Sequence, residues 1–353
     1  MRYIISAGGT GGHIYPALAI VDKIKEMDKN AKILYIGTTD RMEKDIVPKR
    51  GIDYFGIRIR GIDRKLSLDN FRTIKYFVKA VSDVKKKIKE FKPDIVIGVG
   101  GYVTAPVIYA AHKMHIKTII HEQNSVLGMT NKFLSRYVDV VCTSFPNTIV
   151  KSKKVVYTGN PSSEIITGFN KNELGLSNNK KLVVIVMGSL GSKVVNDKLK
   201  IILPKFNNKD YEVLLVTGNN YYDEFKSLKL NKNIIVLPFV DNLKRVFNKT
   251  DLLVSRAGAT TISEIISYKV PSILVPSPYV TDNHQYKNAM SLVDKECAFL
   301  VEEKNIEKDL VNKIDGLIND KDKLFKIRNN LSTMEVKNSA SKIYEVIGDL
   351  IWI

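Results

Sequence analysis

Short apolar runs rich in Val and Ile alternate along the whole chain with longer stretches of helical period, and this pattern leaves few folds open. In the first half the runs are Tyr3–Ser6, Lys32–Ile36, Tyr54–Ile57, Asp94–Ile97, Thr118–Ile120 and Val138–Cys142. In the second they are Leu182–Met187, Tyr211–Val216, Ile234–Leu237, Leu252–Ser255 and Ser272–Val275. Helical periodicity fills the gaps, as over Ala17–Met27 and Phe71–Phe91. Strands that are apolar on both faces and separated by helices belong to parallel sheets covered on both sides. With 353 residues and about 150 per domain, two such domains are expected. The halves also rhyme: Ile4–Gly12 and Val183–Ser192 each run from an apolar strand through a glycine-containing loop towards a helix. Gly159–Lys181, rich in Asn, Ser, Lys and Gly, reads as the linker and the entry to the second domain. The expected boundaries are 1–160, 161–335 and a C-terminal helix over 336–353 that is free to pack on either domain. Ligands of open parallel sheets bind beyond the carboxyl ends of the strands, so an interdomain site is expected.

Charge narrows the partners. Lys and Arg number 55 against 37 Asp and Glu, a formal net charge of +18. Residues 1–160 carry 28 basic and 14 acidic side chains, and the remainder 27 and 23, so the excess sits in the first half. Such a surface suits nucleic acid, anionic lipid or a phosphorylated substrate, or is simply a solvated Lys-rich face. Cys142 and Cys297 are far apart and lack a CxxC partner, which supports neither a zinc site nor a disulfide framework and points to a reducing compartment. The uncharged stretches Tyr3–Val21 and Ile95–Ala111 are broken by glycines and a proline and read as strand, turn and helix, not as spans. The N-terminus lacks the pattern of a signal peptide, and a cytoplasmic protein is expected.

Several strand ends carry candidate chemistry. Gly8-Gly9-Thr10-Gly11-Gly12-His13 follows a strand and precedes a helix with Pro16 in its first turn; this is an anion cradle or a plain turn. Ile14 stands where a dinucleotide fingerprint needs glycine, Gly37-Thr38-Thr39 replaces its acidic residue, and no Gly-Lys-Ser/Thr follows. His13 there is either a proton acceptor and phosphate contact or an exposed histidine. Gly98-Val99-Gly100-Gly101-Tyr102 repeats the arrangement, and His121-Glu122-Gln123-Asn124 places four polar residues at a third strand tip. In the second half, Ser255–Glu264 ends a strand and opens a helix whose amides would face a phosphate, with Glu264 placed to accept from a ribose diol or merely exposed. Asp282-Asn283-His284-Gln285 is a solvated loop or a hydroxyl-binding one. Leu66, Leu68, Phe71, Ile74, Phe77 and Val78 interleave with Arg64, Lys65, Arg72, Lys75 and Lys79, the pattern of a helix on anionic lipid or of a core face edged by solvated cations.

Taken in order, GGTGGH, GVGGY, HEQN, MGSLGS, SRAGATTISE and DNHQ closely resemble the MurG family of bacterial peptidoglycan glycosyltransferases over essentially the whole chain. The resemblance implies an α/β protein of the glycosyltransferase B type, with two Rossmann-like parallel-sheet domains facing an interdomain cleft. The acceptor and membrane would be met by residues 1–160 and the UDP-sugar donor by 161–335. It further implies that Thr10, Gly11, Gly12 and Asn124 reach the donor sugar and its surroundings, and that Ser189 contacts the diphosphate. Val240 would hold uracil through its backbone; Ala259, Thr260, Thr261, Ile262, Ser263 and Glu264 would bind diphosphate and ribose; Gln285 would meet the sugar. Two departures stand out: Asn160-Pro161 is followed by Ser162 and Ser163 where many relatives carry Arg, and His284-Gln285 replaces a pair of glutamines.

The implied reaction is transfer of N-acetylglucosamine from UDP-N-acetylglucosamine to the C4 hydroxyl of lipid I, with inversion, giving lipid II. His13 is the expected base and Glu122 its alternative; no DxD motif is present, and neither a metal nor a cofactor is expected. The expected location is the cytoplasmic face of the membrane, held peripherally by an anionic surface, with no nucleic-acid partner. A UDP-sugar transferase acting on a diacylglycerol is the alternative enzyme.

Overall fold

The computed structural model describes residues 1–61, 69–146, 148–163, 168–188, 191–241, 243–280, 283–334 and 338–351. The chain divides into two compact units, Met1–Ser162 with Val336–Ile353, and Ser163–Glu335. The first is a seven-stranded sheet of β1 (Arg2–Ser6), β2 (Lys32–Thr38), β3 (Asp53–Ile57), β4 (Ile95–Gly98), β5 (Lys117–Glu122), β6 (Val140–Thr143) and β7 (Val155–Tyr157), in the order β3-β2-β1-β4-β5-β6-β7. Every pairing in it is parallel. Its helices are α1 (Gly11–Met27), α2 (Glu43–Ile46), α3 (Asp69–Phe91), α4 (Thr104–Lys113) and α5 (Met129–Leu134).

The period of two along β1 shows why both faces must be covered. Tyr3 and Ile5 enter one apolar core with Ile14, Ala17 and Leu18 of α1, while Ile4 enters another with Ala80, Val84 and Ile88 of α3 and Val107 and Ile108 of α4. Each fully buried Ile contributes about 1.5–3 kcal/mol relative to exposure, so neither face survives without its helices. α1 begins at Gly11, earlier than glycine's low helix propensity suggests. Extended Thr10 (φ −145°) caps it, and Pro16 consequently lies in the second turn instead of the first.

The second unit repeats the plan with β8 (Leu182–Val186), β9 (Glu212–Val216), β10 (Ile234–Leu237), β11 (Leu252–Ser255), β12 (Ser272–Leu274) and β13 (Phe299–Leu300), ordered β10-β9-β8-β11-β12-β13 and again all parallel. α6 (Lys193–Ile202), α7 (Ala259–Tyr268), α8 (His284–Val293), α9 (Ile306–Ile318) and α10 (Lys321–Met334) cover it. In each sheet the strand order reverses direction once, between β1 and β4 and between β8 and β11. The helices that follow such neighbours lie on opposite faces of the sheet, and ligands of open sheets bind beyond the carboxyl ends of the strands at this point.

The last helix, α11 (Ser339–Ile351), belongs to the first unit: Ile343, Val346 and Ile347 complete the core formed by β1 and α1. Replacing Ile347 by Ala therefore removes buried apolar volume from the first unit, and a loss of about 2–5 kcal/mol is expected in urea denaturation. A loss below about 1 kcal/mol would show that α11 is not part of that core.

Candidate functional site

In the first unit the glycine loops after β1 and β4 interlock. Gly8 donates its N–H to the Gly100 carbonyl at 3.3 Å. Gly100 and Gly101 have φ of +103° and +87°, and a Cβ on Gly101 would lie 2.3 Å from the Gly8 carbonyl oxygen. Only glycine permits this contact. A third strand tip joins them: Gln123, just beyond β5, donates from Nε2 to the Val99 carbonyl (2.9 Å) and to His121 Nδ1 (2.9 Å). His121 is fully buried and donates from Nε2 to the Gly159 carbonyl at 2.9 Å, and burial pushes its imidazole down to about 4, so it is neutral at physiological pH.

Glu122 is also buried, and its carboxylate is saturated. Oε1 accepts from the N–H and side-chain amide of Asn124 (2.9 and 3.0 Å), and Oε2 from the Gly128 N–H and Asn131 Nδ2 (3.0 and 2.9 Å). Four donors fill the four lone-pair sites of a carboxylate, so Glu122 holds the turn that presents Asn124. His13 lies in the first turn of α1 against Gly100, where a Cβ would come within 2.5 Å of the ring. Its Nδ1 sits 3.2 Å from the Gly8 carbonyl and 3.4 Å from Thr10 Oγ1. A carbonyl only accepts, so Nδ1 carries a proton, and in the neutral ring the lone pair is then on Nε2. Thr10, Gly11 and Gly12 form the helix start, whose first amides have no partner within the helix. The Gly9 amide, by contrast, is occupied by the Glu43 carboxylate at 3.1 Å and does not face an incoming anion.

In the second unit, α7 begins at Ala259 after Gly258, and the Ile262 N–H closes its first turn on the Gly258 carbonyl. Of the residues singled out here, Ile262 is core and Ser263 returns its hydroxyl to the Ala259 carbonyl at 2.9 Å, whereas Ala259, Thr260 and Thr261 keep partial exposure at the helix start. Glu264 is partly exposed, and the burial of its carboxyl raises it to about 7 against the opposing pull of Lys244. Val240 is largely buried beyond β10. Gln285, at the start of α8, accepts the Ser277 N–H on Oε1 at 2.9 Å, leaving its Nε2 as the group able to donate outward. Asn288 of α8 donates to the Ala257 carbonyl (3.2 Å) and ties this helix to the α7 loop. Ser189 and Asp282 lie outside the described residues, as do Arg64, Lys65, Leu66 and Leu68 and the side chains of Phe71 and Arg72.

Two residues escaped sequence reasoning. Arg256 is buried, forms an ion pair with Glu303, and donates to Ser192 Oγ (3.0 Å) and the Val275 carbonyl (3.1 Å), joining the loop after β8 to the carboxyl end of β12. The other is Glu43. At the position where an Arg is expected, Ser162 instead folds onto Asn160, donating its N–H and hydroxyl to Oδ1 at 3.0 and 2.8 Å.

The charged stretch splits along α3. Phe77 turns inward against the core with α4, while Ile74 and Val78 are 58% and 62% exposed beside exposed Lys75 and Lys79. Tyr109 of α4 packs its ring at an angle against Phe77, Phe133 and Tyr137, and Phe133 of α5 is itself exposed.

The family model for the glycosyltransferase family 28 N-terminal domain matches residues 3–143, and that for the C-terminal domain residues 182–343. A Bacillus cereus protein described as UDP-N-acetylglucosamine--N-acetylmuramyl-(pentapeptide) pyrophosphoryl-undecaprenol N-acetylglucosamine transferase 1 is 47% identical, covering 99% of this chain and 100% of its own. A Halalkalibacterium halodurans transferase of the same description is 44% identical, covering 99% of both. Among solved structures, MurG of Acinetobacter baumannii superposes with a TM-score of 0.81 at 28% identity, covering 99% of both chains. The calicheamicin glycosyltransferase CalG4, at 12% identity and a TM-score of 0.73, shares the fold.

Glu264 yields a pH test. Its folded-state carboxyl titrates near 7 and its unfolded one near 4.5. The folded state therefore binds the extra proton, and its stabilisation is complete below pH about 4.5 and is lost as pH rises through about 7. Between pH 5 and 8 the melting temperature of the wild type should fall relative to Glu264→Gln by on the order of 5 °C. Parallel curves for the two proteins would contradict the buried carboxyl.

Proposed function

The chain belongs to glycosyltransferase family 28, within its MurG branch, and on that premise we propose that it transfers N-acetylglucosamine from UDP-N-acetylglucosamine to the C4 hydroxyl of lipid I, forming lipid II. The observation that carries this is the 47% identity to the Bacillus cereus transferase across 99% of the chain. The geometry of each unit agrees with its share of the chemistry.

The donor falls to the second unit. Amides at the start of α7, from Ala259, Thr260 and Thr261, meet the diphosphate, reinforced by the positive end of the helix; Ser189 adds a hydroxyl. Glu264, about one turn further, takes the ribose, the Val240 backbone takes uracil, and Gln285 Nε2 donates to the sugar. On the first unit, His13 Nε2 removes the C4 proton as that oxygen bonds to the anomeric carbon. The bond from that carbon to the UDP phosphate oxygen breaks, with inversion. The departing charge rests on the α7 amides, which need not reorganise. His13 suits the role of base better than Glu122, whose lone pairs are all committed. Thr10, Gly11, Gly12 and Asn124 reach the donor sugar and its surroundings.

The lipid-linked acceptor requires a membrane surface, and no helix among the described residues is long and apolar enough to cross one. Peripheral docking on the cytoplasmic face through Ile74, Val78 and Phe133, with Lys75, Lys79, Lys132 and Arg136 meeting anionic headgroups, fits these facts.

In a detergent assay with labelled UDP-N-acetylglucosamine and a lipid I analogue, His13→Ala should lower kcat by about 10²–10⁴-fold with little change in donor KM. Glu264→Ala should chiefly raise that KM. Unchanged turnover in His13→Ala removes the base. Separately, Ile74→Glu with Val78→Glu should abolish cosedimentation with phosphatidylglycerol vesicles while detergent activity persists; retained cosedimentation would relocate the membrane contact.

A further inference from the structure

Glu43, in the short helix after β2, is 0% exposed and makes no salt bridge with any described residue. Its carboxylate is instead held by three donors: Oε1 accepts the Thr38 N–H (3.1 Å) and Thr38 hydroxyl (2.7 Å), and Oε2 the Gly9 N–H (3.1 Å). The site is shaped for it, since a Cβ on Gly8 would lie 2.3 Å from Glu43 Oε1, and one on Gly37 2.7 Å from its Cγ. Its charge is felt around it: together with burial it pushes the phenols of Tyr35 and Tyr54 upward. A buried carboxylate is costly to keep when a neutral acceptor would serve the same turn.

The Gly9 N–H and the Gly8 carbonyl belong to one peptide group. Glu43 accepts at its N–H end, and His13 Nδ1–H donates to its C=O end at 3.2 Å. We propose that Glu43 is a positioning residue of the transfer reaction, acting on His13 through this single peptide plane. A carboxylate at one end polarises the amide and makes its carbonyl a stronger acceptor at the other. That holds the proton on Nδ1, keeps the lone pair on Nε2, and favours the imidazolium formed when the acceptor hydroxyl gives up its proton. The arrangement is a carboxylate–histidine pair with a peptide group between them. Other titratable groups adjoin this turn: Tyr102 of the second glycine loop, next to exposed Arg41, Tyr15 on α1, and His121 with Glu122 behind Gln123. Of these, His121 is held neutral by burial.

The proposal rests on His13 as the base, and the tests separate the two ideas. In the full-length wild type, ¹⁵N spectra of labelled histidine should show His13 as the Nδ1–H tautomer; an Nε2–H tautomer overturns the proposal without any variant. Glu43→Gln, which would set its amide or its single carbonyl against the Gly9 N–H or Thr38, should lower kcat about tenfold or more at unchanged donor KM. It should also shift the His13 titration downward. In a His13→Ala background the same substitution should have no further effect on kcat. An unmoved His13 titration, or an equal loss of kcat in both backgrounds, would reduce Glu43 to a packing role. Unchanged turnover in His13→Ala beside an Nδ1–H tautomer and a moved titration would remove the base while leaving the relay in place.

Discussion

Backbone presses on backbone where the loops after β1 and β4 meet, and the geometry of the first unit's candidate site depends on that contact. With no side chain at Gly101, the Gly8 carbonyl can approach, and the Gly8 N–H reaches Gly100. The same short turn then receives His13 on one side and Glu43 on the other. Gln123 ties the β5 tip to Val99 in the second loop. Three strand ends thus become one hydrogen-bonded surface. Precise placement of a proton acceptor needs such contacts more than it needs a strong base.

The second unit solves a different problem on the same strand order. Ala259, Thr260 and Thr261 at its α7 start keep partial exposure, and the neighbouring loops are braced by buried Arg256 and Glu303. The cation faces inward and is already neutralised by its partner. In the proposed reaction, stabilisation of the departing charge falls instead to amide dipoles, which do not have to move.

Much of the architecture was legible because parallel strands, covered on both faces, must be continuously apolar. β7 and β13 were missed for the converse reason: Val155 is 43% exposed, and β13 is only two residues long, so neither makes an apolar run. The start of α1 was hidden by its own glycines, whose low propensity is overridden by packing and by the extended cap at Thr10. At the candidate sites, strand-end position singled out His13, Glu122 and Glu264, but not what their atoms touch. The four donors on Glu122 come from Asn124, Gly128 and Asn131, a turn that sequence spacing does not draw. Glu43 stands among Arg41, Lys44 and Asp45 and reads as one more solvated charge. Arg256 was visible as a letter, but its partner is 47 residues away.

The chain leaves the first unit after Ser162 and returns to it after Glu335, so the second unit is an insertion within the first. Synthesis runs from the N-terminus, and β1 with α1 must wait for Ile343 and Ile347 before their core closes. The second unit is therefore fully synthesised before α11 closes the core of the first. Loss of α11 would thus injure the unit that contains β1, although the two elements lie at opposite ends of the sequence.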